Sequence, residues 1–494
     1  MEFRKTFRDW SPKNYASQPV IPAVALPEDD LVFFLIDLVP QLDLTPFYAY
    51  YERETRGAPP FDVAMMTTLL VYSYCVGVFS SRKIAAACER NLAFLAIVGN
   101  QRPDFRTISD FRKNHLERFQ DLFVEVLRVA GELGMVKLGN LSLDGSKIRA
   151  NASRHKAMSY GSMKTEVERL RAEVAALLQQ AEQTDAEQDA TLGTRRGDEL
   201  PEELKRREQR LQVIEEAMRR LEQEAKEHAA AQRRDRAAAE AQRQASGQKA
   251  RGRQPQPISE TPAERAQTNF TDPEAKIMKT SNKGFDYCFN AQVVVDEEHQ
   301  IILAAETSAA ANDKQQAIPM AAATVANLEA AGIERPREEG PSESAAKSDW
   351  LSADGERTED ELWSETAAKR IPLSADTGYF SEANVGGLET LGFDPHLATG
   401  RQKHNQAQAS AGAGPPPAEA TVKERMAHKL RTPAGRACYA KRKQIVEPVF
   451  GQIKQGRGFR QFLLRGLRKV QGEWTLACLT HNLLKIWRYQ YALN

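Results

Sequence analysis

Tyr439-Ala-Lys-Arg442-Lys443-Gln-Ile-Val-Glu447-Pro-Val-Phe-Gly-Gln-Ile-Lys454 is the stretch from which the rest of the chain is read. From Arg431 to Val470 the sequence holds eleven Lys or Arg and a single acid, Glu447. A scattered surface acid ordinarily sits among other acids in a helix laced with ion pairs. This one is embedded in cations and flanked by Val446, Val449 and Phe450. Phosphodiester chemistry asks for that mixture, because cations hold the nucleic-acid backbone while a carboxylate holds a metal ion at the scissile phosphate. A plain basic helix with Glu447 paired to a neighbouring Arg competes evenly on this stretch alone. The residue before a proline avoids α geometry, so Pro448 predicts Glu447 at a kink or a helix start. A helix starting there would aim its positive end at bound phosphate.

The 494 residues predict roughly two to four domains, with 41% hydrophobic content ample for a core. Net charge is only +1, so any nucleic-acid surface must be local. Five cysteines without a C-x-x-C pairing argue against a disulfide framework or zinc knuckle and fit a reducing cytosol. Met1–Trp10 carries charge where a signal peptide needs an apolar core. Val63–Phe79 is short for a membrane span and carries Thr, Tyr and Ser, so it predicts a buried helix. The expectation is a soluble cytoplasmic protein. No P-loop, zinc-site spacing or H-E-x-x-H points to an NTPase or a metalloprotease.

Residues 1–136 are mostly helical text. Asp30–Val39 reads as helix or strand, Ser80 or Ser81 caps Arg82–Arg90, and Asn91–Val98 is a further short helix. Thr107-Ile-Ser-Asp110 fits a capping box opening a long helix over Ile108–Gly131. Arg82, Lys83, Arg102, Arg106, Arg112 and Lys113 near helix starts suggest a helix-turn-helix-like reader of DNA, against an all-α packing domain with ordinary surface cations. The texture then changes. Leu141, Leu143 and Ile148 alternate around Asp144 as in a strand. An acid inside an apolar strand is costly to bury unless paired or bound to metal, and the competing reading is an Asp-Gly145 turn at a strand end.

Residues 160–269 form an insertion. Val167, Leu170, Val174 and Leu177, then Leu204, Leu211, Ile214, Met218 and Leu221, mark heptad seams on two charged helices joined by Gln183–Leu200. They predict an antiparallel coiled-coil hairpin whose tail frays over Ala229–Gln256 and which carries no chemistry. Tyr287–Asp296 and Ile301–Thr307 read as a strand hairpin, and Asn312-Asp313 as the cap of a helix running to Ala331. Ile371–Phe380 is a strand ending in Asp376-Thr-Gly, Ser381 opens a helix, and Phe393–Thr399 is another strand. Pro336–Thr366 and Gln402–Thr421 are polar loops, and Gln471–Tyr491 is a closing amphipathic helix.

Three antiparallel strands followed by alternating helices and strands is the ribonuclease-H-like order, with the first and fourth strands side by side. Asp144, Asp376 and Glu447 can then converge on one edge. Converging carboxylates raise one another's pKa unless a cation compensates. Magnesium or manganese, as two ions about 4 Å apart, would supply it and drive an in-line phosphoryl displacement.

At this point the chain resembles the DDE transposases of bacterial insertion sequences, in the branch with a Tyr-Arg-Glu-Lys signature around the last acid. Glu447 to Lys454 matches that spacing, with Tyr439 before it and either Arg442 or Lys443 in the Arg position. Leu143-Asp144-Gly-Ser-Lys-Ile-Arg-Ala-Asn-Ala-Ser, Thr271-Asp-Pro-Glu-Ala, Ser374-Ala-Asp376-Thr-Gly-Tyr-Phe, Glu447-Pro-Val-Phe-Gly and Pro103-Asp-Phe-Arg-Thr-Ile-Ser are similar to the same branch. The resemblance, which runs from about Phe61 to Trp487 apart from the hairpin and the polar loops, implies an α/β fold with a ribonuclease-H-like catalytic core (137–159 and 270–494) and an all-α N-terminal DNA-binding domain (1–136), beside the hairpin and linker (160–269) read from the heptads. It implies Asp144, Asp376 and Glu447 as catalytic metal ligands. DNA contact is expected from Tyr439, Arg442, Lys443, Lys454, Arg457 and Arg460, and from Arg106 and Arg112. The partners would be double-stranded DNA, as terminal inverted repeats and target, and a second copy of the chain in the assembled complex on the nucleoid. Two alternatives stand beside the transposase: a catalytically inactive DNA-binding descendant, and a metal-dependent nuclease of the same fold.

Overall fold

The alternation around Asp144 becomes a strand: β1 spans Leu141–Arg149, with Leu141, Ser142 and Leu143 each 0% exposed. The computed structural model describes residues 22–53, 59–99, 101–192, 202–245, 256–280, 284–335, 370–400, 416 and 419–492. The predicted loop over Pro336–Thr366 and most of Gln402–Thr421 lie outside them. The chain divides into two units, one of Met1–Ile148, Asn290–Leu464 and Arg468–Asn494, the other of Arg149–Phe289 and Arg465–Leu467.

In the first unit the sheet continues through β2 (Phe285–Asp296, of which Asn290 onward belongs to this unit), β3 (Ile302–Ser308), β4 (Ile371–Ala375) and β5 (Phe393–Leu397). β3 pairs antiparallel with β2, which neighbours β1; β4 lies parallel to β1, and β5 parallel to β4. The first and fourth strands are therefore adjacent, as the strand order predicts. Val293, Val294 and Val295 are fully buried, as a strand covered on both faces requires.

Short helices precede the sheet: α1 (Leu31–Leu38), α2 (Val63–Cys75), α3 (Ser81–Arg90), α4 (Leu92–Val98), α5 (Phe105–Asn114) and α6 (Arg118–Glu132). Asp30 caps α1, which settles the helix-or-strand ambiguity there. α2 stops short of Phe79 because Gly77 takes φ +80, where a Cβ would come within 2.5 Å of the Arg457 carbonyl oxygen. The long helix expected over Ile108–Gly131 is two helices. It starts at Asp104, whose carboxylate accepts from Thr107 N, and breaks at His115, whose ring is buried beside Phe47 and Phe111.

After the hairpin comes α7 (Ala317–Ala330), capped at Gln316 and not by Asn312-Asp313; the Asp313 carboxylate is turned elsewhere, to Asn290 and Gln292. α8 (Glu382–Thr390) is capped by Ser381, and α9 (Val422–Lys429) opens on a Thr421/Glu424 capping box. α10 (Pro433–Gly451) carries Glu447 and continues past Pro448, so Glu447 lies inside a helix and not at a helix start. Proline deprives the Gln444 carbonyl of its helical donor. Gln300 Nε2, from the β2–β3 turn, donates to that carbonyl at 3.0 Å instead.

α11 (Leu467–Ala492) lies along the edge strand β3 and occupies its free backbone groups. Asn482 accepts from Ile302 N and donates to Ile302 O, both at 2.8 Å. Gln471 accepts from Thr307 N at 2.6 Å and donates to Ala305 O at 2.8 Å.

In the second unit the helices Tyr160–Leu192 and Glu202–Ala245 pack through Tyr160, Met163, Val167, Leu170, Ile214 and Leu221. Ion pairs Arg210–Glu166 at 2.9 Å and Arg207–Glu173 at 2.8 Å fix an antiparallel register. The second helix continues to Ala245 instead of fraying from Ala229. Gln267–Asn269 pairs with Ala157–Ser159, and Lys276–Lys279 with the first residues of β2. Among the described residues no helix is long and apolar enough to cross a membrane.

Candidate active site

The register Leu143↔Ala375 on parallel strands carries Asp144 and Asp376, the next residue of each chain segment, to the same end of the sheet. Asp144 Oδ1 accepts from Gly145 N at 2.8 Å, and its Oδ2 accepts from Arg442 Nη1 at 3.1 Å. Asp376 caps the turn Thr377–Tyr379, accepting from Gly378 N at 2.8 Å. Burial pushes the Asp144 carboxyl up to about 6; the Arg442 guanidinium and the Gly145 N–H oppose that rise, and the nearby charges of Asp376 and Asp313 add to it.

Polar residues from β1, β2, the turn after β4 and the β3–α7 loop lie close by. Gln292, on buried β2, donates to Asp313 Oδ1 at 2.9 Å and accepts from the Tyr379 hydroxyl. Lys147 Nζ stands 3.1 Å from the same Asp313 oxygen. A Cβ on Gly145 would fall 2.2 Å from Gln292 Nε2, so the chain approaches β2 here as only glycine allows. Sequence reading missed Asn290, Gln292, Lys147, Asp313 and Tyr379. The one available signal was Asn290 and Gln292, two amides alternating on an otherwise apolar strand.

The basic helix is anchored along β1: Ser142 Oγ donates to Arg442 O at 3.3 Å and Lys454 Nζ to Ser146 Oγ at 2.9 Å. The Arg442 guanidinium carbon lies 5.9 Å from the Tyr439 ring centroid, and Lys443, Glu447 and Arg460 are exposed. Arg106 is exposed beside the Phe105 ring. Two residues expected on the DNA surface are not presented there. Arg112 is 4% exposed and donates to the Tyr74 hydroxyl and the Phe79 carbonyl, because it sits on the inner face of α5. Arg457 donates to Thr480 Oγ1 at 2.6 Å, and burial pushes its pKa down, with the Arg488 charge adding to the fall and Cys75 and Cys478 opposing it.

As the side chains stand, no three His, Cys, Asp or Glu of the described residues form a metal-holding group, and Arg442 and Lys147 pair two of the acids. The donor chemistry nevertheless fits a hard divalent cation. Asp144 and Asp376 follow paired residues of β1 and β4, both are oxygen donors, and the Asp376 charge adds to the rise at Asp144.

Comparison with known families gives two matches: Transposase DDE domain over residues 415–487, and Transposase domain (DUF772) over residues 23–114. No curated protein and no solved structure matches. Both matched families are transposases. The resemblance to the DDE transposases of insertion sequences is borne out, the first match covering the whole of α10.

Proposed function

We propose that this chain binds the terminal inverted repeats of its element and catalyses metal-dependent DNA cleavage and strand transfer on a ribonuclease-H-like core. The observation that supports this most is the pairing of β1 with β4, which sets Asp144 beside Asp376 under a helix rich in cations. Asp144 and Asp376, with Glu447 completing the set, would hold magnesium or manganese, which when bound activates a water or 3′-hydroxyl and stabilises the leaving oxygen. Tyr439, Lys443, Lys454 and Arg460 grip the DNA backbone, and Arg106 contacts the inverted repeat. Residues 1–136 serve as the DNA-binding domain, 137–159 with 270–494 as the catalytic domain, and 160–269 as a coiled-coil insertion, in a cytoplasmic protein that acts as a homodimer on DNA.

The test is a linear duplex bearing the element's ends, incubated with protein and magnesium. Cleaved 3′ ends and joined products are expected. Asp144→Asn, Asp376→Asn and Glu447→Gln should each abolish cleavage while gel-shift binding persists, because amides keep shape and lose charge. Near wild-type cleavage by any one of them removes that residue from the site.

A further inference from the structure

Phe105 opens α5 on the line that Ile108 and Arg112 continue into the packing, yet it is 37% exposed. α3 packs against α5, and its start is fixed there, where Arg112 Nη2 donates to Ser81 Oγ at 3.4 Å. The next residue, Arg82, brings its guanidinium carbon to 4.8 Å from the Phe105 ring centroid, and Arg106 brings its own to 5.7 Å. Arg82, Lys83, Arg102 and Arg106 are all exposed, and none lies within ion-pair distance of an acid among the described residues. Asp104, the acid between Arg102 and Arg106 in sequence, is engaged as the helix cap, accepting from Thr107 N at 2.7 Å.

A single exposed apolar residue needs no explanation by itself. A ring framed by cations that lack acid partners is a different surface. It joins the two features that hold a nucleic-acid strand, charge for the phosphates and a π face for a base. How much of the ring is open decides between two modes. A wedge driven into a paired duplex lies between two base steps and must free both faces. Phe105 keeps most of its surface covered and has two guanidiniums over its ring, so it has room for one base and not two. A base already out of the helix suits it.

We propose that Phe105, framed by Arg82 and Arg106, stacks on an unpaired base of the bound DNA while these cations hold the adjoining phosphates. The buried Arg112 is then a positioning residue for this surface, since it sets the start of α3, and with it Arg82, against α5. The inference rests on the reading of residues 1–136 as a DNA-binding domain, and adds to it a preference for DNA that is locally unpaired.

The experiment uses two fluorescein-labelled duplexes of one sequence, one fully paired and one with a central run of mispaired thymidines. The full chain is titrated into each without metal at several salt concentrations and followed by anisotropy, with thermal melts to establish folding. The wild type should prefer the mispaired duplex. Phe105→Ala should lose that preference, binding the mispaired duplex about ten-fold or more weakly. Its salt slope should not change, because the ring carries no charge. Phe105→Trp should keep the preference and Phe105→Leu should not, since stacking needs a π face. Arg82→Ala should weaken both duplexes and lower the slope of log affinity against log salt by about one. Four results would each overturn the inference: a wild type without the preference, Phe105→Ala as selective as wild type, Phe105→Leu as selective as wild type, or an unchanged slope for Arg82→Ala. Binding of the paired duplex would leave the DNA-binding reading standing in each case. If the wild type binds neither duplex, that reading falls and the inference with it. If Phe105→Ala does not fold, Phe105→Trp and Phe105→Leu decide, and equal selectivity of the two overturns the inference.

Discussion

Arg442 Nη1 donates to Asp144 Oδ2 at 3.1 Å, joining the basic helix α10 to the strand β1. The two side chains are 10% and 22% exposed, so this is a partly desolvated charge pair, not a surface one. Removing one partner of such a pair leaves the other buried and uncompensated, at a cost of about 3–5 kcal/mol. Arg442→Ala should therefore lower the denaturant midpoint at pH 7. Combined with Asp144→Asn it should lose less than the two single variants added together. Additive losses would show that the pair is not coupled.

Arg112 and Arg106 share α5 but not a role. Arg112 lies in a buried network in which Tyr74 donates to Glu473 and Glu473 accepts from Leu463 N and Leu464 N. Arg112→Ala should cost about 3–5 kcal/mol of stability, visible as a lowered melting temperature. Arg106→Ala should leave the melt unchanged and reduce the preference for the inverted repeat over unrelated DNA. The opposite assignment of effects would refute this division.

Lys454 is placed two residues from Asp144 along β1, by its hydrogen bond to Ser146 Oγ at 2.9 Å. A phosphate contact there carries no base information. Lys454→Ala should weaken binding to inverted-repeat and unrelated duplexes alike and reduce the slope of log affinity against log salt by about one. A loss confined to the inverted repeat would assign Lys454 to base reading instead.

His115 makes the first unit sensitive to acid. It is 0% exposed, with Nε2 3.3 Å from the Tyr51 hydroxyl. Burial, helped by the Arg118 charge, pushes its pKa down from 6.5 to about 4. Between those values the unfolded chain binds a proton that the folded chain refuses. Its contribution to stability is thus full above pH 6.5 and lost as pH falls towards 4. Between pH 7 and pH 5 that loss is about 2 kcal/mol. His115→Phe should shrink the drop in urea midpoint between those two pH values; an unchanged drop would place the acid sensitivity elsewhere.

Local chemistry made much of this protein readable in one dimension. The alternation of Leu141 and Leu143 around Asp144, and the apolar run before Asp376, are properties of single strands, and strand order alone puts those strands together. The heptad seams of the inserted helices are equally local, since their apolar stripe is written at fixed spacing. Tertiary structure decided what depends on partners far along the chain. Pro448 breaks a helix by local rules, yet α10 continues because Gln300 supplies the missing donor. Arg112 reads as a surface cation until Tyr74 and Glu473 are found around it. Asp313 reads as a helix cap, but the amides of Asn290 and Gln292 on β2 hold its carboxylate instead. Each of these outcomes turns on where a hydrogen bond or charge finds its partner, and no periodicity in the sequence records that.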